Sequence, residues 1–158
     1  MTRPPPPVGK TVQAQDGSRY PLAAAWCIDL LPRRVREGEP GEKTYGYVDR
    51  SFGMFVSGLD GTWTTFIQRR LDDLRFGKPA VIRIVRAHVE MKVATMMIQE
   101  GRRSVQLVIN HVPCGSQFGQ RTGCHQVLEA YLPEEYALTV LGTTQQGEPF
   151  AKTYRGRA

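Results

Sequence analysis

The sequence predicts an α/β layered domain, with a central mixed sheet of about five strands flanked by helices and its last two strands antiparallel. Three observations predict it. "SVQLVIN" (104–110) is nearly all apolar and rich in β-formers, as a strand covered on both faces must be. Two stretches before it, "LDGTWTTFIQRRLDDLRFGKP" and "RAHVEMKVATMMIQEG", carry their apolar residues at helical spacing. After it, "YALTVLG" and "PFAKTYRG", joined through "TTQQGE", read as a closing hairpin.

In chain order, residues 1–20 contain four consecutive prolines and read as a mobile arm, leaving 21–158 as one domain. "YPLAAAWCIDLLP" is expected to form a short docked helix ended by Pro32, followed by the charged loop "RRVREGEPGEK". "TYGYVDRSFGMFVSG" alternates and reads as a hairpin or two short strands, with bends at Gly53 and Gly58. Asp60-Gly61 then turns the chain into a helix with Trp63, Phe66, Ile67, Leu71 and Leu74 on one face, stopped by Gly77 and Pro79. "AVIRIVR" is expected to be a strand. The next helix buries Val89, Val93, Met96 and Met97 and closes at Gly101, and "CHQVLEAYLP" starts a further short helix beyond the central strand.

Composition narrows the function. The 158 residues are 41% hydrophobic and 23% charged, ordinary for a globular protein. No apolar run approaches the roughly 20 residues that span a bilayer, so no membrane partner is expected. The start "MTRPPPPVGK" lacks the apolar centre of a secretory signal. A formal charge of +6 makes polyanions plausible partners, although Lys152, Arg155 and Arg157 at the end read more simply as a solvated tail. Three cysteines, an odd number, argue against a disulfide framework. Cys27 reads as a small buried hydrophobe, whereas Cys114 and Cys124 share one short stretch, which favours metal or redox chemistry.

The second helix begins with two residues able to bind or move protons, His88 and Glu90. A cap and a favourable charge at the positive helix end would account for both. A partner elsewhere would give them chemistry. The central strand runs directly into "HVPCGSQFGQRTGC", so Pro113 and Cys114 sit just past a strand end, where α/β folds place ligands. Cys124 opens the next helix as His88 opens its own. One imidazole and two thiolates would supply three ligands to Zn²⁺ and leave a fourth position for water. Glu90, two residues from a ligand, would be the proton carrier. His-x-Glu followed by Pro-Cys is the pattern of zinc deaminases that act on nucleobases. The usual two residues between cysteines are nine here, so His125 and His111 stand beside Cys124 as candidates to complete the site.

Residues 31–156 resemble the DddA-like deaminase family, bacterial domains often found at the C-terminal end of polymorphic toxins. The resemblance rests on His-Val-Glu followed by Lys-Val-Ala, Ile-Asn before Pro-Cys, and Leu-Pro before the late strand. It implies the cytidine deaminase-like fold and conversion of cytosine to uracil in DNA. His88, Cys114 and Cys124 match the zinc ligands, and Glu90 the proton shuttle that serves N3 and then the departing amine as activated water attacks C4. Asn110 matches a position near the flipped nucleotide. Val89 and Pro113, inside the two motifs, and the aromatics Tyr47, Phe55 and Phe118 complete the expected substrate-facing set, with Tyr45 and Phe52 as further stacking candidates. Phe118 lies in the long inter-cysteine loop that departs from the family's compact pattern. A monomer is expected, acting on DNA in a bacterial cytoplasm after delivery as a toxin domain, with an immunity protein as partner. Unstacking cost favours single strands over duplex. The competing reading is a nucleic-acid-binding module whose Cys/His zinc site is only structural.

Overall fold

The computed structural model describes residues 9–49 and 53–158. The four prolines of the expected arm and Phe52 lie outside the described residues. Five strands form the mixed sheet, in the spatial order β4-β3-β5-β6-β7: β3 (Tyr45–Tyr47), β4 (Met54–Val56), β5 (Ser104–Ile109), β6 (Ala137–Thr143) and β7 (Pro149–Arg155). β5 is central and runs parallel to β6, while β3–β4, β3–β5 and β6–β7 are antiparallel. Four helices accompany it: α1 (Thr64–Asp73), α2 (Pro79–Val85), α3 (Val89–Glu100) and α4 (Cys124–Tyr131). The expected fold class is the one observed.

Alternation along β5 explains its two-sided burial. Val105, Leu107 and Ile109 enter the main core with Val89, Val93, Met97, Val127 and Leu128. Val108 faces the opposite way and joins Tyr20, Ala24, Cys27, Ile28 and Leu141 in a second cluster. A strand with water on neither face must be apolar on both, and this one is.

The cover on that second face differs from the expectation. Residues 11–21, placed in or beside a mobile arm, form a hairpin of β1 (Thr11–Gln13) and β2 (Arg19–Pro21). It turns at Asp16-Gly17, where Gly17 has φ +85° and Asp16 accepts from the Ser18 N–H. The hairpin is tied down by the Arg19 N–H, which donates to the Gly147 carbonyl. The short helix expected over "YPLAAAWCIDLLP" is instead a 3₁₀ turn, Leu22–Ala24, followed by further turns. Its bonds run three residues back, Ala25 to Leu22, Cys27 to Ala24 and Leu30 to Cys27. That tighter winding still brings Ala24, Cys27 and Ile28 onto one buried face.

"AVIRIVR" is not a strand. Pro79 occupies the first turn of α2, where its missing N–H costs nothing, and Ile82 and Val85 meet the core one helical turn apart. β-Branched content suggested a strand; packing against α1 and into the main core overrides that preference. The expected α1 face is half right: Ile67 and Leu71 are fully buried, while Phe66 and Leu74 remain exposed. α3 is buried at every position from Val89 to Met97, not on one stripe, because helices and sheet enclose it. It ends as expected at Gly101, in the left-handed conformation (φ +67°). Among the described residues, no helix is long and apolar enough to cross a membrane.

The start of α3 is pressed onto the sheet at Gly46. A Cβ built there would lie 2.7 Å from Val89 Cγ1 and 2.9 Å from Leu107 Cδ1. Gly46→Ala is therefore expected to overpack the core and destabilise the protein by about 1–3 kcal/mol. Thermal denaturation should show a Tm lower by roughly 3–10 °C; an unchanged Tm would remove this contact as a constraint on the helix.

Candidate active site

β5 ends at Ile109, and the chain continues through Asn110, His111 and Val112 to a buried Pro113 and the half-buried Cys114. α3 and α4 both begin at this same end of the strand. His88 is the residue immediately before α3, with extended backbone (φ −89°, ψ 146°), and its side chain makes no capping hydrogen bond. The ring turns instead to the two thiols. His88 Nδ1 lies 3.2 Å from Cys114 Sγ and 3.3 Å from Cys124 Sγ. The donor atoms of His88, Cys114 and Cys124 all fall within 4.8 Å of one another, and they could hold a metal ion.

The donor set fits zinc. Bond lengths of about 2.0–2.3 Å and tetrahedral angles place neighbouring N and S ligands about 3.5 Å apart, close to the separations here. One imidazole and two soft sulfurs are the ligands such an ion prefers. No other His, Cys, Asp or Glu among the described residues joins the group. The nine-residue gap between the cysteines is closed by the loop's own bonds. The Gly115 carbonyl accepts from Gln126 Nε2 at 2.8 Å, and Gln126 Oε1 accepts from the Gly123 N–H at 2.7 Å. The His125 N–H donates to the Cys114 carbonyl. Gln126 thus works as a strut between the two ends.

The electrostatics follow from two helix N-termini meeting at one point. The Cys124 N–H, at the start of α4, donates to Cys114 Sγ at 3.1 Å. The Cys124 thiol first, then the His88 ring and that backbone bond, hold the Cys114 thiol well below its ordinary range, against burial. Cys124, fully buried beside it, is pushed up by desolvation and by the negative charge of its neighbour. Cys27, far from the group, is raised to about 12 by burial alone. Glu90 is 3% exposed. Burial lifts its carboxyl to about 7, with His88 pulling it down and the Cys114 charge pushing it up. A carboxyl that titrates near neutrality can both accept and donate a proton.

A cavity of ≈320 Å³ opens over the group, lined by His88, Val89, Glu90, His111 and Cys114, with Val35, Thr44, Ser57 and Gly58 forming the opposite wall. His111 lines this space with Nδ1 buried and without a hydrogen-bond partner, but it stands outside the metal group. His125 points elsewhere, with Nδ1 2.8 Å from Tyr154 Oη. Cys124, and neither of these histidines, completes the group that could hold a metal ion.

The expected substrate-facing residues separate. Val89 lines the cavity. Asn110 is buried and hydrogen-bonded at both ends of its amide: Oδ1 accepts from the Tyr45 N–H at 2.8 Å and Nδ2 donates to the Arg33 carbonyl at 2.9 Å. It fastens the cavity wall and is not part of its lining. Tyr47 packs edge-on against Trp26, 6.5 Å between ring centres, on the other side of the sheet. Phe55 is buried in the main core, and Phe118 is fully exposed on the inter-cysteine loop.

Absent from the sequence reading is a buried strut beside the site. Lys92, 4% exposed, donates to the Val56 carbonyl and to Asp60 Oδ2, while Asp60 Oδ1 accepts from the N–H groups of Thr62 and Trp63. The Gly58 N–H donates to the Ala87 carbonyl. Together these bonds fix the 56–60 wall against the start of α3. A lysine four residues after His88 carried no signal of burial, because its partner lies 32 residues earlier.

Two outcomes test this geometry. A Cβ on Gly123 would fall 2.2 Å from Cys114 Sγ. Gly123→Ala should therefore displace the thiol and lower bound metal, read by elemental analysis, with an unchanged circular dichroism spectrum; full metal content would contradict the packing. In chelator-treated protein near pH 7, iodoacetamide should modify Cys114 before Cys27 or Cys124, because the thiolate is the nucleophile. Metal loading should protect it, and mass spectrometry of the peptides reads both.

No curated protein matches the chain. The family model described as SCP1.201-like deaminase matches residues 20–158, nearly the whole length, and takes in His88, Glu90, Cys114 and Cys124. This chain belongs to the SCP1.201-like deaminase family.

Proposed function

We propose that the protein is a zinc-dependent cytosine deaminase acting on DNA, of the DddA-like kind. The observation that carries this reading is the placement of a buried, near-neutral Glu90 in the same small cavity as His88 and Cys114, two members of the His88–Cys114–Cys124 group. At ≈320 Å³ the cavity is at the small end of ligand sites, suited to one extruded base. The +6 charge supports a polyanionic substrate.

The overall reaction takes up one water at C4 of cytosine and releases ammonia, leaving uracil. Zinc, when bound by His88, Cys114 and Cys124, would supply a water whose pKa is lowered toward about 7. Glu90 takes one proton from the attacking water and delivers it to N3, then takes that water's second proton and delivers it to the amino group at C4 as the C–N bond breaks. Val89 and His111 line the pocket that would take the base. The exposed Phe118 and the inter-cysteine loop contact the strand flanking the target. Low unstacking cost favours single strands. In a toxin setting an immunity protein would close the cavity.

The test is to incubate the purified, zinc-loaded protein with matched single- and double-stranded oligonucleotides and to score uracil at each cytosine. Glu90→Ala should lower the rate by at least about 10²–10⁴-fold while retaining metal and fold. Full activity in that variant would sink the proton-carrier role. A purely structural site, the other reading, would bind nucleic acid and make no uracil in either substrate.

A further inference from the structure

A second cavity, of ≈480 Å³, adjoins the first, lined among others by Lys43, Phe55, Leu59, Asp60 and Trp63. Ser57 and Gly58 border both spaces, and the chain neighbours Lys43 and Thr44 face one each. The chemistry of the second space is different. The rings of Phe55 and Trp63 lie 6.1 Å apart, and exposed Met54 and Leu59 form an apolar rim. Trp63 is half-buried, and its N–H is held by Asp60 Oδ1 at 2.7 Å, so the ring is carried on a fixed backbone. The floor is electrically spent, because both Asp60 oxygens and the Lys92 ammonium are engaged with each other and with backbone.

Lys43 is the exception. It is exposed and has no ion pair or side-chain hydrogen bond among the described residues. Its Nζ lies 3.8 Å from the point where a Cβ on Gly58 would stand, so this free cation sits at the ridge between the two cavities. A base-sized pocket, a cation and an aromatic-lined pocket, in that order, match a dinucleotide: target base, linking phosphate, neighbouring base. Successive bases in single strands bind by stacking on aromatic rings, and the phosphate between them seeks a Lys or Arg.

We propose that the second cavity is the subsite for the nucleotide next to the target, with its base against Trp63 and the intervening phosphate on Lys43. This rests on the nucleic-acid deaminase reading, but it is read out by binding and fails separately. The probes are short single-stranded DNA oligonucleotides with one cytosine, either intact or with an abasic residue directly 5′ or directly 3′ of it. The zinc-loaded Glu90→Ala protein binds them without turnover, and Trp26→Phe leaves Trp63 as the single tryptophan.

Intact DNA should quench Trp63 fluorescence. An abasic residue on one flank should abolish the quenching and weaken binding on the order of 10-fold, while the other flank should matter little. Trp63→Ala should weaken the intact oligonucleotide by the same factor and leave the sensitive abasic one unchanged. Lys43→Ala should reduce the slope of log K against log salt by about one. Matching Tm and metal content serve as fold controls for each variant. Binding without quenching overturns the proposal, as does an equal loss on all three oligonucleotides in Trp63→Ala, or no binding at all. Wild-type protein that binds with this pattern yet makes no uracil would overturn the deaminase reading and leave the subsite standing.

Discussion

The structure depends on one constraint: two thiols, an imidazole and a carboxyl must be packed against one another at the end of one strand, largely shielded from solvent. Isolated charges in an apolar interior are costly. Here the cost is offset by position. α3 and α4 both start at the C-terminal end of β5, so the positive ends of two helices face the same few cubic ångströms. The Cys124 N–H reaches Cys114 Sγ directly. Negative charge is therefore favoured at Cys114, within the group that could hold a metal ion.

Close approach is the second requirement, and glycine provides it twice. Gly46 lets the start of α3 settle on the sheet, and Gly123 lets the start of α4 settle on Cys114. Neither relies on unusual backbone angles, since Gly123 is extended (φ −151°, ψ −154°). Both are demands of space. The long loop between the cysteines adds chain without moving its ends, because Gln126 bonds Gly115 and Gly123 together. Extra loop length costs little closure entropy once the ends are fixed.

The wall opposite the trio is set by a buried ion pair. Lys92 and Asp60 satisfy each other and three backbone groups, so neither is left as an uncompensated charge. Such pairs add little net stability, but losing one partner is costly, and geometry is what they secure. Their effect is to hold residues 56–60 between two cavities and to seat Trp63 at the head of α1. The cavity over His88 and Cys114 and its neighbour thus share one partition.

Much of this was legible in the chain. The central strand, α3 with its Gly101 stop, the closing hairpin, and the roles of His88, Glu90 and Cys114 as neighbours in space follow from local pattern: apolar runs, helical spacing and motifs at element ends. Those signals are local, and their physics is local. What the tertiary structure decided is everything that depends on partners far along the chain. It wound "AVIRIVR" into a helix, folded residues 11–21 over the second face of the sheet, and selected Cys124 over His111 and His125. It gave Asn110 to the cavity wall and Lys92 to Asp60. A side chain's type limits what it can bind, but only the packed neighbours decide which of those bonds is made, because burial sets the cost of leaving any of them unmade.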